Sequence, residues 1–349
     1  MVATKSLGYI KPSKVEEFYS STNFDRAGTG VEKVKMMQKF GMGAVMDAEA
    51  TVPTSPFLQF IVPAVVRAQI APLKAQKLLG VDMVGRSFDR EIVYKTTQSK
   101  GYADAYTDFS NMPLSDFSIG FKTRDIVVLQ AGLEVKWLEE QQYGAANINA
   151  LQEKMTSLNF ALNTAINEIG FRGVSGGRTY GILNDPDLLP YETAPKTWGT
   201  CTFAELQAQI SLMATKVREQ SFNIVEPTTD AMILAIPIVT RATLDINNSL
   251  NTKSVLGWIK ETYPNWTIET VAQFSGANGG ANVAYLYAET VVGDIGSTDN
   301  KAVFSLGMQA QNQVIGAGKV LSTFQSQSIS ATSGCAVKRA YAVTRWTGV

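Results

Sequence analysis

A chain of 349 residues that is 45% hydrophobic holds enough apolar material for one large core or two linked ones. Charged residues make up 18%, and 31 Lys+Arg balance 31 Asp+Glu, so the chain lacks the basic excess of a dedicated nucleic-acid binder. Histidine is absent, which removes Ser–His–Asp and Cys–His nucleophile activation, imidazole proton transfer and nearly all common zinc or iron sites.

Residues 1–55 read as an irregular arm punctuated by Gly28, Gly30, Gly41 and Gly43, with a small basic surplus. Methionine suits adaptable contacts, so Met36, Met37 and Met42 are candidate inter-subunit contacts. An arm of this composition frays unless a neighbour holds it. The opening MVATKSLGYIKPSK lacks the apolar core of a secretory signal, and no apolar run is long enough to span a bilayer. A soluble protein made in the cytosol is expected.

Residues 56–80 mix Pro56, Pro63 and Pro72 with apolar residues and predict a short helix and an extended connector. Period-two alternation over 90–98 and again over 117–123 predicts a long β-hairpin with two distinct faces. The excursion between them, SKGYADAYTDFSNMPLS, is long for a compact domain. Its Tyr102, Tyr106 and Phe109 are candidate docking anchors, a commoner use of loop aromatics than stacking on bases.

The segment 132–142, GLEVKWLEEQQ, reads as a short helix. Ile148, Leu151, Met155, Leu158, Leu162, Ala165 and Ile169 recur at helical spacing and predict a helix over 147–170, capped by Asn147 and stopped by Gly170 and Gly173. At about 1.5 Å per residue it is a rod of roughly 36 Å. The glycine-rich FRGVSGGRTYGILNDPDLLP follows, with a turn at Asn184-Asp185-Pro186 and a domain boundary nearby. Thr202 and Glu205 form a capping-box pattern ahead of a stripe of Phe203, Leu206, Ile210, Met213 and Val217. Strands are predicted over 232–236, 266–271 and 283–288, a helix over 254–262, a loop over 276–282, and a final strand over 335–346 that pairs with an earlier one.

Few of the chemical patterns survive scrutiny. The glycine clusters at 41–43, 173–177 and 276–280 match no phosphate-binding motif. Glu16-Glu17 and Glu139-Glu140 are adjacent residues that point apart on a helix. Asp104, Asp108 and Asp116 lack calcium-loop spacing. Cys201 and Cys335 form no CxxC and read as two buried thiols. No catalytic residue, metal or cofactor is expected.

The order of parts, from arm and long hairpin through long helix and glycine-rich turn to a mixed α/β region and returning strand, resembles the Hong Kong 97-type fold of tailed-phage major capsid proteins and of encapsulin shells. YADAYTDFSNMPLSDFSIGFKTRDIVVLQAGLEV looks like the extended loop and following strand of a phage capsid family, and TYGILNDPDL (179–188) is similar to its turn after the spine helix. SVLGWIKETYPNWTIE (254–269) looks like its peripheral helix and strand, and GCAVKRAYAVTRWTGV (334–349) like its closing strand without the midway proline.

The resemblance implies an α+β chain with an N-terminal arm (1–70), an extended loop (71–130), a peripheral domain (131–190 and 325–349, with spine helix 147–170) and an axial domain (191–324). It implies hexamers and pentamers of an icosahedral head around double-stranded DNA touched through non-specific contacts. Scaffolding, portal and decoration proteins are possible partners, no membrane is involved, and the virion capsid is the location. Lys95 and Lys100 sit where some relatives cross-link, though no cross-link is expected here. An encapsulin-like compartment shell and a soluble α/β enzyme without histidine chemistry are the alternatives.

Overall fold

The computed structural model describes residues 72–104, 114–145, 148–250, 252–294 and 296–349. In chain order the elements are α1 (Ala75–Leu79), β1 (Val81–Asp82), β2 (Glu91–Lys100), β3 (Asp116–Asp125), β4 (Val127–Lys136), α2 (Trp137–Ala145) and α3 (Ala150–Arg172). They continue with β5 (Glu192–Thr193), α4 (Phe203–Gln220), β6 (Met232–Pro237), α5 (Val255–Thr262), β7 (Trp266–Val271), β8 (Val283–Ala288), β9 (Phe304–Val320), β10 (Thr323–Val337) and β11 (Val343–Thr347). The described residues divide into two compact units: those within 72–73, 131–163 and 314–328 in one, those within 74–130, 164–313 and 329–349 in the other.

The larger unit is organised by a five-stranded sheet in the order β5-β11-β8-β6-β7. Two of its three inner strands, MILAIP and VAYLYA, are buried at every position, as continuous apolar runs covered on both faces should be. β6 runs parallel to β7 and antiparallel to β8, and β8 pairs antiparallel with β11. Helix α4 buries Leu206, Ile210, Met213, Ala214 and Val217, one stripe at helical spacing. Both halves of the expected capping box form, with Thr202 accepting from the Glu205 N–H and Glu205 accepting from the Thr202 N–H at 2.7 Å.

The smaller unit holds the end of β4, α2, the first half of α3 and the tip of the β9–β10 hairpin. Lys154 ties α3 to α2 through Glu139 at 2.6 Å and donates to the Glu134 carbonyl at 2.7 Å. The Trp137 N–H donates to the Ser322 carbonyl at 2.9 Å.

Several expectations need correction. Residues 132–136 are strand, not helix, with Leu133 and Val135 buried on one face, and helix begins only at Trp137. The spine helix spans Ala150–Arg172 rather than 147–170. Asn147 lies outside the described residues, and Asn149 does the capping, its Oδ1 accepting from the Gln152 N–H at 3.1 Å. Gly170 does not stop the helix. It lies inside, where a Cβ would come within 3.0 Å of Ala75 on α1. The stop is Gly173 at φ 65, whose N–H bonds the Ile169 carbonyl at 2.8 Å. The single closing strand is two, because a 3₁₀ turn at Ala340–Ala342 separates β10 from β11. β11 joins the sheet of residues 192–288 through its pairing with β8.

Candidate inter-subunit surface

The β2–β3 hairpin is antiparallel over its full length, from Glu91 opposite Asp125 to Lys100 opposite Asp116. Facing residues share a side of the ribbon. One side carries Val93, Lys95, Thr97 and Ser99 against Thr123, Phe121, Ile119 and Phe117, and the other carries Ile92, Tyr94, Thr96, Gln98 and Lys100 against Arg124, Lys122, Gly120, Ser118 and Asp116. The first side is an apolar strip open to solvent, with Phe117 62% and Phe121 68% exposed and Val93 and Ile119 also exposed. A two-stranded ribbon is marginal alone. A contiguous apolar patch of this kind marks a contact surface.

Among the described residues, the ion pairs that hold the ribbon to its own chain lie at its base. Arg124 is buried and donates through Nη2 to both oxygens of the fully buried Asp185, at 3.0 and 3.3 Å, and to Asp187 at 3.0 Å. Its guanidinium lies 4.9 Å from the centre of the Tyr180 ring, and Lys122 pairs with Asp187 at 3.1 Å. Burial pushes the Asp185 carboxyl above its ordinary range, against the pull of the Asp187 N–H and of Arg124. On the outer side Asp125 accepts from the Arg178 N–H at 2.7 Å and from its Nε at 3.1 Å, while Arg178 reaches on to Glu91 at 2.6 Å. The backbone bond from Arg178 is foremost in holding the Asp125 carboxyl below its usual range.

The platform for this anchorage is the turn after the spine helix. The N–H groups of Ile182 and Leu183 donate to the carbonyls of Gly170 and Phe171, both at 3.0 Å. Asn184 donates to the Arg172 carbonyl at 2.7 Å while its Oδ1 accepts from the Gly181 N–H at 2.7 Å. Helix ends leave carbonyls without partners, and GILN supplies the partners. A Cβ on Gly181 would stand 2.3 Å from the backbone of Phe171, so only glycine lets the turn come this close.

Over residues 44–348 the sequence matches the model of the Pa193 gp26 major capsid protein family. The chain belongs to this family. Among solved structures, the capsid of Myoviridae phage XM1 matches with a TM-score of 0.69 at 17% identity, covering 86% of this chain and 100% of that one. A capsid of the native GTA particle matches at TM-score 0.57 and 8% identity, covering 86% and 99%. A chain of Microbacterium phage Oxtober96 matches at 0.56 and 12%, covering 83% and 95%. At these identities the likeness is one of fold, and the fold is the Hong Kong 97-type capsid fold. No curated protein matches the sequence.

In this major capsid protein Tyr102 lies just beyond β2, 72% exposed. The other expected contacts, Tyr106, Phe109, Met36, Met37 and Met42, fall outside the described residues. Lys95 and Lys100 are exposed on opposite faces of β2. Sequence reasoning missed the Arg124–Asp185 pair, whose members stand 61 residues apart. It also treated Phe117, Ile119 and Phe121 only as strand markers, although their alternation with Ser118, Gly120 and Lys122 already signalled an apolar strip on one face. Among the described residues no cluster of acidic or thiol groups is arranged to hold a metal, and none of the helices is long and apolar enough to cross a membrane. Both cysteines are free and buried, and desolvation holds the Cys335 thiol far above its normal range.

Proposed function

We propose that this capsid protein closes head-to-tail into hexamers and pentamers of an icosahedral bacteriophage head, with the β2–β3 hairpin of each copy laid across its neighbour. The observation that carries this is the contrast within one ribbon: a base fixed by buried ion pairs and an outer length whose Phe117, Ile119 and Phe121 face water. Burying three such side chains contributes roughly 5–9 kcal/mol before ordering costs, far more than exposed ion pairs supply. A head-to-tail contact that closes generates rings.

In this arrangement residues 1–70 are the arm, 71–130 the extended loop, 131–190 with 325–349 the peripheral domain and 191–324 the axial domain. The terminal strand β11 then reaches into the axial sheet, through its pairing with β8. The role is structural and needs no catalytic group. Packaged double-stranded DNA meets the inner surface through non-specific contacts. Portal, decoration and separate scaffolding proteins complete the head.

The test is a double substitution on the strip, Phe117→Ser with Phe121→Ser, in the full chain. We expect an unfolding midpoint within about 2 °C of wild type, because both positions are exposed, and loss of particles by negative-stain microscopy and sedimentation. Normal particles from the double variant would remove the strip from assembly.

A further inference from the structure

The sequence contains a single Asn-Gly step, Asn278-Gly279. Asparagine is chemically labile, because its side-chain amide is an acyl group within reach of the next residue's backbone nitrogen. A side chain on that next residue hinders the approach, and glycine has none. The fold sets the step in the loop that precedes β8. Asn278 and Ala281 pair across it, each N–H donating to the other's carbonyl, at 3.1 and 2.9 Å. Gly279 and Gly280 between them have φ of 58 and 92, the positive pair that a type I′ turn requires.

The nitrogen and its surroundings are open. The Gly279 N–H has no hydrogen-bond acceptor among the described residues, and a Cβ built on Gly279 would meet no atom within 4 Å. Asn278, Gly279 and Gly280 are all exposed to water. One contact restrains the amide: Asn278 Nδ2 donates to the hydroxyl oxygen of Thr347, the last residue of β11, at 3.0 Å. The loop is fastened beside it as well. The Gly348 N–H donates to the Asn282 carbonyl at 2.9 Å, and Asn282 Oδ1 accepts from the Gly276 N–H at 3.0 Å. Asn278 is thus a labile amide on an exposed turn, held by one side-chain bond to the end of the terminal strand.

We infer that Asn278 is a site of spontaneous deamidation in the folded capsid protein, and that its bond to Thr347 restrains the rate. The Gly279 nitrogen, having given up its proton to solvent, attacks Asn278 Cγ. The new N–Cγ bond closes a succinimide, and the Cγ–Nδ2 bond breaks, with Nδ2 taking a proton from water and leaving as ammonia. Water then opens the ring at either carbonyl and leaves aspartate or isoaspartate. Ring closure needs the amide to swing towards the backbone, so Nδ2 must first leave Thr347. Either product lacks the Nδ2 donor and carries a new negative charge. Isoaspartate also adds a methylene to the backbone, so the two bonds between Asn278 and Ala281 no longer both close. Ageing therefore loosens the loop from the end of β11.

The test ages the folded full chain in mildly alkaline, isotopically labelled water and maps the label by peptide mass spectrometry. Label should enter at residue 278 as aspartate and isoaspartate. Asn282 is the control within the same loop, because the β-branched Val283 that follows it crowds ring closure. It should keep its amide. Thr347→Val removes the hydroxyl acceptor with little change of shape, and conversion at Asn278 should quicken about two- to tenfold, the factor that one ordinary hydrogen bond represents. If Asn278 keeps its amide for as long as the same chain in urea takes to convert, or if Asn282 converts equally fast, the inference is overturned. An unchanged rate in Thr347→Val removes Thr347 as the restraint. Acceleration at Asn282 as well as Asn278 removes it too, by assigning Thr347 to the general stability of the fold.

Discussion

At the base of the β2–β3 ribbon, Ile92 and Arg124 face each other on the buried side, and Arg124 pairs through Nη2 with Asp185 and Asp187. Seven residues further out, about 23 Å at 3.3 Å per residue, Ser99 faces Phe117 on the opposite side, open to water. The usual arrangement is inverted: charge is buried where the ribbon meets its own subunit, and apolar surface is exposed where it leaves it. Ion pairs between defined partners fix direction, because Arg124 reaches Asp185 in only one orientation. Apolar contact is non-directional and large, which suits a surface that must hold a neighbour. The base aims the ribbon, and the strip binds with it.

Removing the aim should have the largest effect. Arg124→Ala leaves Asp185 buried with no cation beside it, and breaking a buried pair from one side costs roughly 3–5 kcal/mol. Urea unfolding should show that loss, and hydrogen exchange should show faster opening along β3. A loss below about 1 kcal/mol would mean that the base is not what holds the ribbon. Gly181→Ala tests the platform instead of the pair. Its Cβ would collide with the Phe171 backbone, and the turn must retreat from the helix end, at about 1–3 kcal/mol. The sharper outcome is spatial: exchange should rise at Ile182 and Leu183, whose bonds to Gly170 and Phe171 lengthen, and at the hairpin base, but not at the strip.

Much of this contrast could be read from the sequence, and what could not has physical causes. The ribbon strands showed themselves by alternation, the spine helix by its apolar stripe, and α4 by its capping box. The end of β4 was hidden from periodicity, because Leu133, Trp137 and Leu138 fit helical spacing as well as Leu133 and Val135 fit a strand, and only the resemblance implied a strand there. The long β9–β10 pair went unread for another reason. β10 buries Ser326, Ser328, Ser330 and Thr332, so its inward face carries hydroxyls rather than hydrophobes and leaves no period-two hydrophobic signal. Thr332 shows how such a face is satisfied, its hydroxyl donating to the Gly307 carbonyl at 2.8 Å. The exposed strip was half visible, since its residues were named while their partnerless face was not. Arg124–Asp185 was invisible, because nothing local in KTRD or NDPD says that the two meet.

The smallest predicted effect separates base from strip by pH alone. Asp125 is held low mainly by the Arg178 N–H, with the Arg178 side chain adding to it. A carboxyl lowered in the folded state contributes stability above its ordinary value near 3.9, and that contribution is lost as pH falls through the lower folded value. Acidification from pH 5 towards 2 should therefore loosen the outer side of the base. The group is partly exposed and solvent-screened, so the change is a few tenths of a kcal/mol at most. Asp185 stands on the other side of the ordinary range, raised by burial, so its titration falls at higher pH than that of Asp125. Amide exchange at Glu91 and Asp125 should quicken beyond the intrinsic pH dependence across the low window, while exchange at Thr97 and Ile119, where no carboxylate is paired, follows the intrinsic dependence alone. Asp125→Asn should abolish the low-window change and leave the Asp185 window in place. Equal acid sensitivity along the whole ribbon would contradict the division, because it would show that the strip too is held by charge.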